Sequence, residues 1–264
     1  MTDFIVPLPD GARLAASETG EGEPVLLVSG LGGTGGFWAP VVATLPRRRC
    51  VVFDQRGVAA STRGEACVDI AQLARDAWAV LDARGIFRAH LVGHSTGGCI
   101  AQEMALQAPD RVAGLVLGGT WGGTDAYMQA LFAMRLTLLD ASPALYEQTG
   151  AFLSYPARWL MEHPAAIQPS AGDWPAARVA VVRERIAALL AYDRRADLPR
   201  LAAPALVLGA RDDQIVPFAL QQALAAALPR ATLHGFDGGG HFFPVVRTAD
   251  YTAVLTDWLG QYSL

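Results

Sequence analysis

The fold of this 264-residue chain is decided by one stretch, Gly93-His94-Ser95-Thr96-Gly97. It follows an apolar run that predicts a buried strand, Ala89–Val92, and precedes a helical pattern over Gly98–Leu106. Strand, Gly-x-Ser-x-Gly and helix together are typical of a nucleophile elbow, a tight turn that lifts the serine hydroxyl clear of a sheet. Glycine is needed on both sides because a Cβ there would collide with the neighbouring strand or helix. We therefore predict that Ser95 is a nucleophile.

An activated serine needs a base and an orienting acid, which in this architecture follow in the order serine, acid, histidine. The chain has five histidines, and His241 stands late in the sequence, directly after Gly238-Gly239-Gly240. The acid should end a late apolar strand, and two adjacent aspartates follow the run Ala205–Gly209. Asp213 heads an Asp-x-x-Val-Pro pattern whose proline starts the next helix. Asp213 is therefore predicted to hold the imidazole, and Asp212 is expected to be a solvated or capping neighbour.

An oxyanion hole is the fourth expected part. A buried strand over Val25–Ser29 runs into the glycine-rich stretch Gly30-Leu31-Gly32-Gly33-Thr34-Gly35-Gly36-Phe37-Trp38. Glycines let the backbone pass close to the elbow, so that the amides of Leu31 and Thr96 can bind the same oxyanion. A nucleotide-phosphate loop is disfavoured because the stretch lacks a Gly-Lys-Ser/Thr ending.

These parts, in this order, resemble the α/β-hydrolase superfamily over nearly the whole chain. Three local stretches are similar to aminoacrylate hydrolases of the pyrimidine-degradation (Rut) pathway: residues 30–38, the turn Asp54-Gln55-Arg56-Gly57 and the segment Phe152–Leu160. Enol-lactonases of aromatic catabolism, of the 3-oxoadipate type, share much of the same pattern. The chain departs from the family where Ala59 replaces an expected glycine, and in the Rut group the elbow need not contain a serine.

The resemblance implies a serine hydrolase that cleaves a small ester, enol-lactone or amide through an acyl-enzyme. In this reading Ser95 attacks the carbonyl, His241 moves the proton, and Asp213 orients the imidazole. No metal or organic cofactor is needed. A role in catabolism is expected.

The amino-acid composition argues against several classes of binding partner. The chain is 52% apolar, carries a net charge of −4 and has a pI of about 5.7, so nothing favours binding to nucleic acid or to anionic membranes. The first residues lack the pattern of a signal peptide, and no apolar run is long enough to span a membrane. The three cysteines have no metal or redox spacing. We expect a cytoplasmic protein with a small-molecule substrate, and a homodimer is left open.

Short apolar runs alternate with longer helical patterns, which predicts an α/β fold with a mostly parallel, eight-stranded sheet and helices on both faces. The core is expected over residues 1–120 and 199–264, with residues 121–198 forming a helical cap inserted after the sixth strand. Predicted strands begin near Phe4, Leu14, Val25, Cys50, His90, Val112, Ala205 and Thr232. Predicted helices cover Asp69–Arg84, Ser95–Gln107, Tyr127–Leu139, Ala144–Phe152, Ala157–Glu162, Ala176–Tyr192, Phe218–Leu228 and Ala249–Gln261.

The cap and the strand-end loops supply apolar residues that could enclose a small substrate. The predicted pocket residues are Trp38, Trp121, Phe132, Tyr155, Trp159 and Phe218, with Met128 and Met134 as further candidates. Most of the basic residues of the cap are expected to be solvated on helix faces, and Arg158 is predicted to bind a substrate carboxylate. These basic residues are Arg135, Arg158, Arg178, Arg183 and Arg185.

Three other functions compete with a serine hydrolase. Cofactor-free dioxygenation uses the same fold with a His-Asp pair, and a non-catalytic ligand-binding module would usually have lost a member of the triad. A haloalkane dehalogenase needs a carboxylate at the elbow, which Ser95 excludes.

Overall fold

Eight strands form a single sheet in the computed structural model, which describes residues 1–262. They are β1 (Thr2–Pro7), β2 (Arg13–Thr19), β3 (Glu23–Val28), β4 (Arg48–Phe53), β5 (Ala89–His94), β6 (Val112–Gly118), β7 (Ala205–Ala210) and β8 (Ala231–Phe236). Their order across the sheet is β1-β2-β4-β3-β5-β6-β7-β8. The β1–β2 and β2–β4 pairs are antiparallel and the other pairs are parallel. The prediction of a mostly parallel, eight-stranded sheet is thereby confirmed.

The helices alternate with the strands along most of the chain. They are α1 (Ala39–Thr44), α2 (Ile70–Asp82), α3 (Thr96–Gln107), α4 (Ala126–Ala141), α5 (Pro143–Ser154), α6 (Ala157–Glu162), α7 (Ala176–Ala191), α8 (Phe218–Ala227), α9 (Phe243–Val246) and α10 (Thr248–Gln261). The predicted helices are all present, with ends that differ by one or two residues. The short helices α1 and α9 were not predicted, because four to six residues carry too little periodicity to reveal a helix.

Each face of the sheet has its own apolar core. Along β3, Val25 and Leu27 pack into one cluster with residues of α1 and α10, whereas Leu26 and Val28 pack into the other with residues of α2 and α3. Successive side chains of a strand point to opposite faces. A short apolar run without polar alternation is therefore what a strand covered on both sides requires.

The parallel strands bring several loops together at one edge of the sheet. All six residues of β5 are buried, and this strand lies between β3 and β6 in the sheet. Ser95 directly follows β5, the glycine-rich stretch follows β3, and Asp213 follows β7. In open α/β sheets the ligand site lies at the carboxyl ends of the strands. The helices α4–α7 connect β6 to β7 and start from this same edge.

No helix in the part of the chain that the structure describes is long and apolar enough to cross a membrane. The three cysteines are free thiols: Cys50 and Cys99 are buried, and Cys67 is exposed.

Candidate active site

Ser95 occupies a sharp turn between β5 and α3. Its φ of 57° and ψ of −127° lie outside the regions that residues with a side chain normally adopt, a conformation that persists only where the surroundings enforce it. A Cβ at Gly93 would lie 2.3 Å from the carbonyl oxygen of Gly97, and one at Gly97 would lie 2.1 Å from that of Val28. Both glycines are therefore required by backbone contacts. The strand–turn–helix geometry is that of a nucleophile elbow.

Asp213 and His241 meet at the same edge of the sheet. The distance between Oδ2 of Asp213 and Nδ1 of His241 is 2.8 Å, and both side chains are buried. The other carboxylate oxygen of Asp213 accepts hydrogen bonds of 2.9 Å from the amides of Ile215 and Val216. The carboxylate is thus fixed on one side by backbone donors and presents its free oxygen to the imidazole, the arrangement that orients a general base.

Asp212 binds the loop that carries the histidine. Its carboxylate accepts hydrogen bonds from the amides of Gly239 at 3.2 Å and Gly240 at 2.9 Å. The φ of Gly240 is +62°, in the left-handed region that glycine tolerates. The two neighbouring aspartates therefore contact different parts of one loop: Asp213 the ring of His241, and Asp212 the backbone that leads to it.

His94 packs beneath the His241 ring. The ring centroids of the two histidines are 4.9 Å apart, and Phe37 stacks on His94 with a centroid distance of 5.1 Å. Burial, and secondarily the proximity of His241, hold the pKa of His94 well below its ordinary value. His94 is therefore neutral at neutral pH and adds no positive charge beside His241.

The glycine-rich stretch after β3 passes directly over the nucleophile. A Cβ at Gly30 would lie 2.8 Å from Cβ of Ser95 and 3.2 Å from its Oγ. Within residues 1–262, the amides of Leu31 and Thr96 have no backbone acceptor outside the secondary-structure ladders, and Thr96 is the first residue of α3, where amides lack an intrahelical partner. Two amides near Ser95 are thus free to bind an oxyanion.

The His241 ring lies close to the elbow. A Cβ at Gly119 would be 3.4 Å from Cε1 of His241, and the preceding residue, Gly118, accepts a hydrogen bond of 2.8 Å from the amide of Ser95. Among the described residues, however, no hydrogen bond joins the Ser95 hydroxyl to the ring. In enzymes without substrate such catalytic hydrogen bonds are often long, and they tighten in the reactive complex.

Comparison with known proteins places this geometry in a family. A family model described as the alpha/beta hydrolase fold matches residues 23–248. The chain belongs to the α/β-hydrolase family. It is 39% identical over 251 residues to a protein of Variovorax paradoxus named "Putative carbamate hydrolase RutD", covering 92% of this chain and 94% of that protein. A protein of the same name from Azorhizobium caulinodans is 34% identical and covers 92% of this chain and 93% of its own length.

Solved structures agree with this assignment. A hydrolase from Pseudomonas aeruginosa PA01 superimposes with a TM-score of 0.85 at 25% identity, covering 98% of both chains. The enol-lactonase from Burkholderia xenovorans LB400 has the same TM-score at 22% identity, covering 97% of this chain and 100% of its own, which shows a shared fold. The predicted resemblance to Rut-pathway hydrolases and enol-lactonases is thereby confirmed.

The residues predicted to line the pocket of this α/β-hydrolase have different packing partners, and Trp38 packs edge-on against His94, with ring centroids 6.4 Å apart. The ring of Tyr155 packs edge-on against Phe242, the residue after His241, with centroids 5.0 Å apart. Trp159 stacks on Tyr155 at 4.1 Å. Phe218 packs over Gly209 and Gly235 of the sheet. The remaining aromatic residues and one methionine, namely Trp38, Trp121, Phe132 and Met128, are buried in the apolar cores, and Met134 is exposed.

The prediction that Arg158 binds substrate is contradicted by its position. The side chain is 91% exposed and pairs with Glu162 one turn later on α6. The segment Tyr-Pro-Ala-Arg-Trp suggested an inward side chain, but α6 is a short helix whose buried residue is Leu160. Arg158 therefore points to solvent.

Arg185 is buried on α7, as Arg135 is on α4, although most arginines of this segment were expected to be solvated. Its side chain is buried, and it donates hydrogen bonds to the carbonyls of Gly30 and Leu31. The available signal was helical spacing: Arg185 lies four residues after Val181 and four before Leu189, both buried positions of α7. Residues four apart share a helix face, so Arg185 belongs to the buried face despite its charged neighbours.

The turn after β4 carries an alanine, Ala59, where the family pattern predicts a glycine. Ala59 has a φ of +48°, the conformation for which the family's glycine is suited. Ser61 supports the turn by donating to the carbonyl of Asp54 at 2.6 Å and accepting from the amide of Ala15 at 2.8 Å. The departure from the family pattern leaves a strained alanine in an otherwise ordered turn.

Proposed function

We propose that this α/β-hydrolase is a serine hydrolase that cleaves a carbamate, ester or enol-lactone bond of a small molecule through an acyl-enzyme. The observation that carries the proposal is the 2.8 Å contact between Asp213 and His241 at the sheet edge where Ser95 occupies its strained turn. A hydroxyl on an elbow, with an imidazole oriented by a buried carboxylate, is the arrangement of nucleophilic acyl transfer.

The proposed reaction has two halves. His241 takes the proton of Ser95 Oγ as the oxygen attacks the carbonyl carbon, and the amides of Leu31 and Thr96 bind the resulting oxyanion. The protonated imidazole then gives its proton to the leaving oxygen or nitrogen, which departs and leaves an acyl- or carbamoyl-serine. Water, deprotonated by His241, releases the acid and restores the hydroxyl.

Two observations support a small substrate with a carbamate-type bond. Ser95 is 6% exposed, so polymeric substrates would not reach it without opening of the helices above. Relatives that match over nine-tenths of the chain carry the name carbamate hydrolase. Carbamates, esters and enol-lactones pass through the same tetrahedral oxyanion, so one site serves all three.

The nucleophile is tested with a fluorophosphonate probe and a panel of small carbamates, enol-lactones and p-nitrophenyl esters. Wild-type protein should be labelled once, at Ser95, and Ser95→Ala should fold normally, resist labelling and lose turnover by at least about 10⁴-fold. Turnover of Ser95→Ala at the wild-type rate would refute the proposal. Oxygen consumption that survives in Ser95→Ala would instead indicate a cofactor-free dioxygenase.

The acid is tested with a matched pair of variants. Asp213→Asn should lower kcat by about 10⁴-fold because the amide holds the wrong imidazole tautomer. Asp212→Asn keeps one acceptor oxygen, so it loses the charge and one of the two hydrogen bonds to the loop amides, and it should lower kcat by about tenfold. The reverse order of effects would assign the role to Asp212.

A further inference from the structure

Arg185 is a buried cation whose partners are all neutral. Its side chain is 1% exposed, and within residues 1–262 it forms no ion pair with a carboxylate. Burial lowers its pKa to about 10, so the guanidinium remains charged at neutral pH. Burying an unpaired charge is costly, and a position that retains one calls for a role that the charge performs.

The donors of Arg185 reach the glycine-rich stretch that passes over Ser95. Its Nε donates to the carbonyl of Leu31 at 2.9 Å, and its Nη2 donates to that of Gly30 at 3.1 Å. Nη2 also donates to Oε1 of Gln55 at 2.5 Å, and Nε2 of Gln55 donates to the carbonyl of Ser29 at 2.6 Å. Arg185 and Gln55 together hold three consecutive carbonyls of this stretch.

This bonding helps to set the direction of one proposed donor, together with the hydrogen bond of 3.0 Å that the amide of Gly33 donates to the carbonyl of Gly30. The carbonyl of Gly30 and the amide N–H of Leu31 belong to the same peptide group, and in a trans peptide they point in opposite directions. A guanidinium on the carbonyl therefore aims the N–H away from Arg185. It also polarises the peptide, which makes the N–H a stronger donor.

The geometry points to Arg185 as a positioning residue for the oxyanion hole, a cation carried by the cap that orients and polarises the Leu31 amide. The inference rests on the proposed serine-hydrolase function. It adds that one part of the proposed catalytic apparatus is held in part by a helix inserted between β6 and β7, beside Gln55 from the turn after β4.

The test uses Arg185→Met, which removes the charge and the donors, beside Arg185→Lys, which keeps the charge without the planar fork. Arg183→Met is the matched control, since Arg183 lies on the same helix but is half exposed and pairs with Asp140. The readouts are kcat and KM for a short-chain p-nitrophenyl ester, Ki for a trifluoromethyl ketone that forms an oxyanion on the serine, and the thermal unfolding midpoint.

Arg185→Met should lose about 10²–10³-fold in kcat, the loss expected for one oxyanion donor, with KM changed by less than threefold. Its Ki for the ketone should rise by the same factor as kcat/KM falls, because both report binding of the oxyanion. The kcat and the ketone Ki of Arg185→Lys should lie between those of wild type and Arg185→Met. These values test the inference if the methionine variant does not fold. Arg183→Met should match wild type.

Several results would overturn the inference. One is an Arg185 variant with wild-type kcat, and another is a loss of kcat that leaves the ketone Ki unchanged, since a merely structural defect would not follow oxyanion affinity. Either would leave the proposed function intact, provided that the probe labels Ser95 in wild type. Failure of that labelling would overturn the proposed function and this inference together.

Discussion

The close approach of Gly30 to the nucleophile makes Gly30→Ala a sharp test of the site. The added Cβ would lie 2.8 Å from Cβ of Ser95, 3.2 Å from its Oγ and 3.3 Å from the carbonyl oxygen of His94. Carbon atoms in contact normally stay about 3.5–4.0 Å apart. A different rotamer of Ser95 would not relieve the clash, because both Cβ atoms are fixed by backbone.

The expected response is a shift of the glycine-rich stretch away from the elbow by roughly 1 Å. Such a shift removes the Leu31 amide from the oxyanion, and loss of one donor costs about 2.7–4 kcal/mol, or 10²–10³-fold in rate. Overpacking of this kind costs about 1–3 kcal/mol in the free energy of unfolding. The protein should therefore fold, with reduced stability and with activity reduced far more.

The control is Gly32→Ala in the same stretch, since a Cβ there meets nothing within 4 Å. The rate of fluorophosphonate labelling, kcat/KM for a short-chain ester and the urea unfolding midpoint are measured for both variants. Gly32→Ala should retain wild-type labelling and turnover. Equal activity in the two alanine variants would refute the placement of this stretch over Ser95.

Three further predictions concern strain, pH and thiols. Ala59→Gly should raise the free energy of unfolding in urea by about 0.5–1 kcal/mol, because relief of the left-handed strain (about 1–2 kcal/mol) exceeds the entropy cost of glycine; an unchanged or lower midpoint would contradict the positive φ. Burial lowers the pKa of His90 from 6.5 to about 4, so the unfolded chain binds a proton that the native state does not, and stability should fall as the pH drops from 6.5 to 4, by roughly 3 kcal/mol at most. In urea titrations over this pH range, the free energy of unfolding of His90→Asn should fall less than that of wild type. An identical fall would exclude His90 as the cause. Burial raises the pKa of Cys50 to about 11 and that of Cys99 to about 12. A disulfide-exchange reagent at pH 8 should therefore titrate one thiol, Cys67, in native protein and three in denaturant. More than one rapidly reacting thiol in native protein would contradict the burial of Cys50 and Cys99.

The parts of the site that follow strands could be predicted from the sequence. Ser95, Asp213 and the stretch after β3 each stand directly after a short apolar run, and parallel strands bring their carboxyl ends to one edge. The local sequence pattern therefore predicts which loops meet at this edge of the sheet. His241 was predicted on different grounds, from its late position and the three glycines before it.

The directions of the side chains in the cap could not be predicted from the sequence. Its four helices were found, because helical periodicity is local, but the direction of each side chain depends on how the helices pack on one another. Arg158 was the first choice for an arginine turned inward and lies in solvent, whereas Arg185 belongs to a set of five of which most were expected to be solvated, and it is buried. The spacing of Arg185 from Val181 and Leu189 was the better guide to its position.

The helices between β6 and β7 contact both loops of the proposed catalytic site. At the end of α5, the carbonyl of Ser154 accepts a hydrogen bond of 3.0 Å from the amide of Phe242, the residue after the base. On α7, Arg185 binds the stretch that carries the Leu31 amide. A movement of the cap that admits substrate would therefore shift the base loop and the oxyanion stretch together. Because 1 Å of misplacement can cost about 10²-fold in rate, we expect a cap transplanted from a relative to need equivalents of both contacts to support turnover.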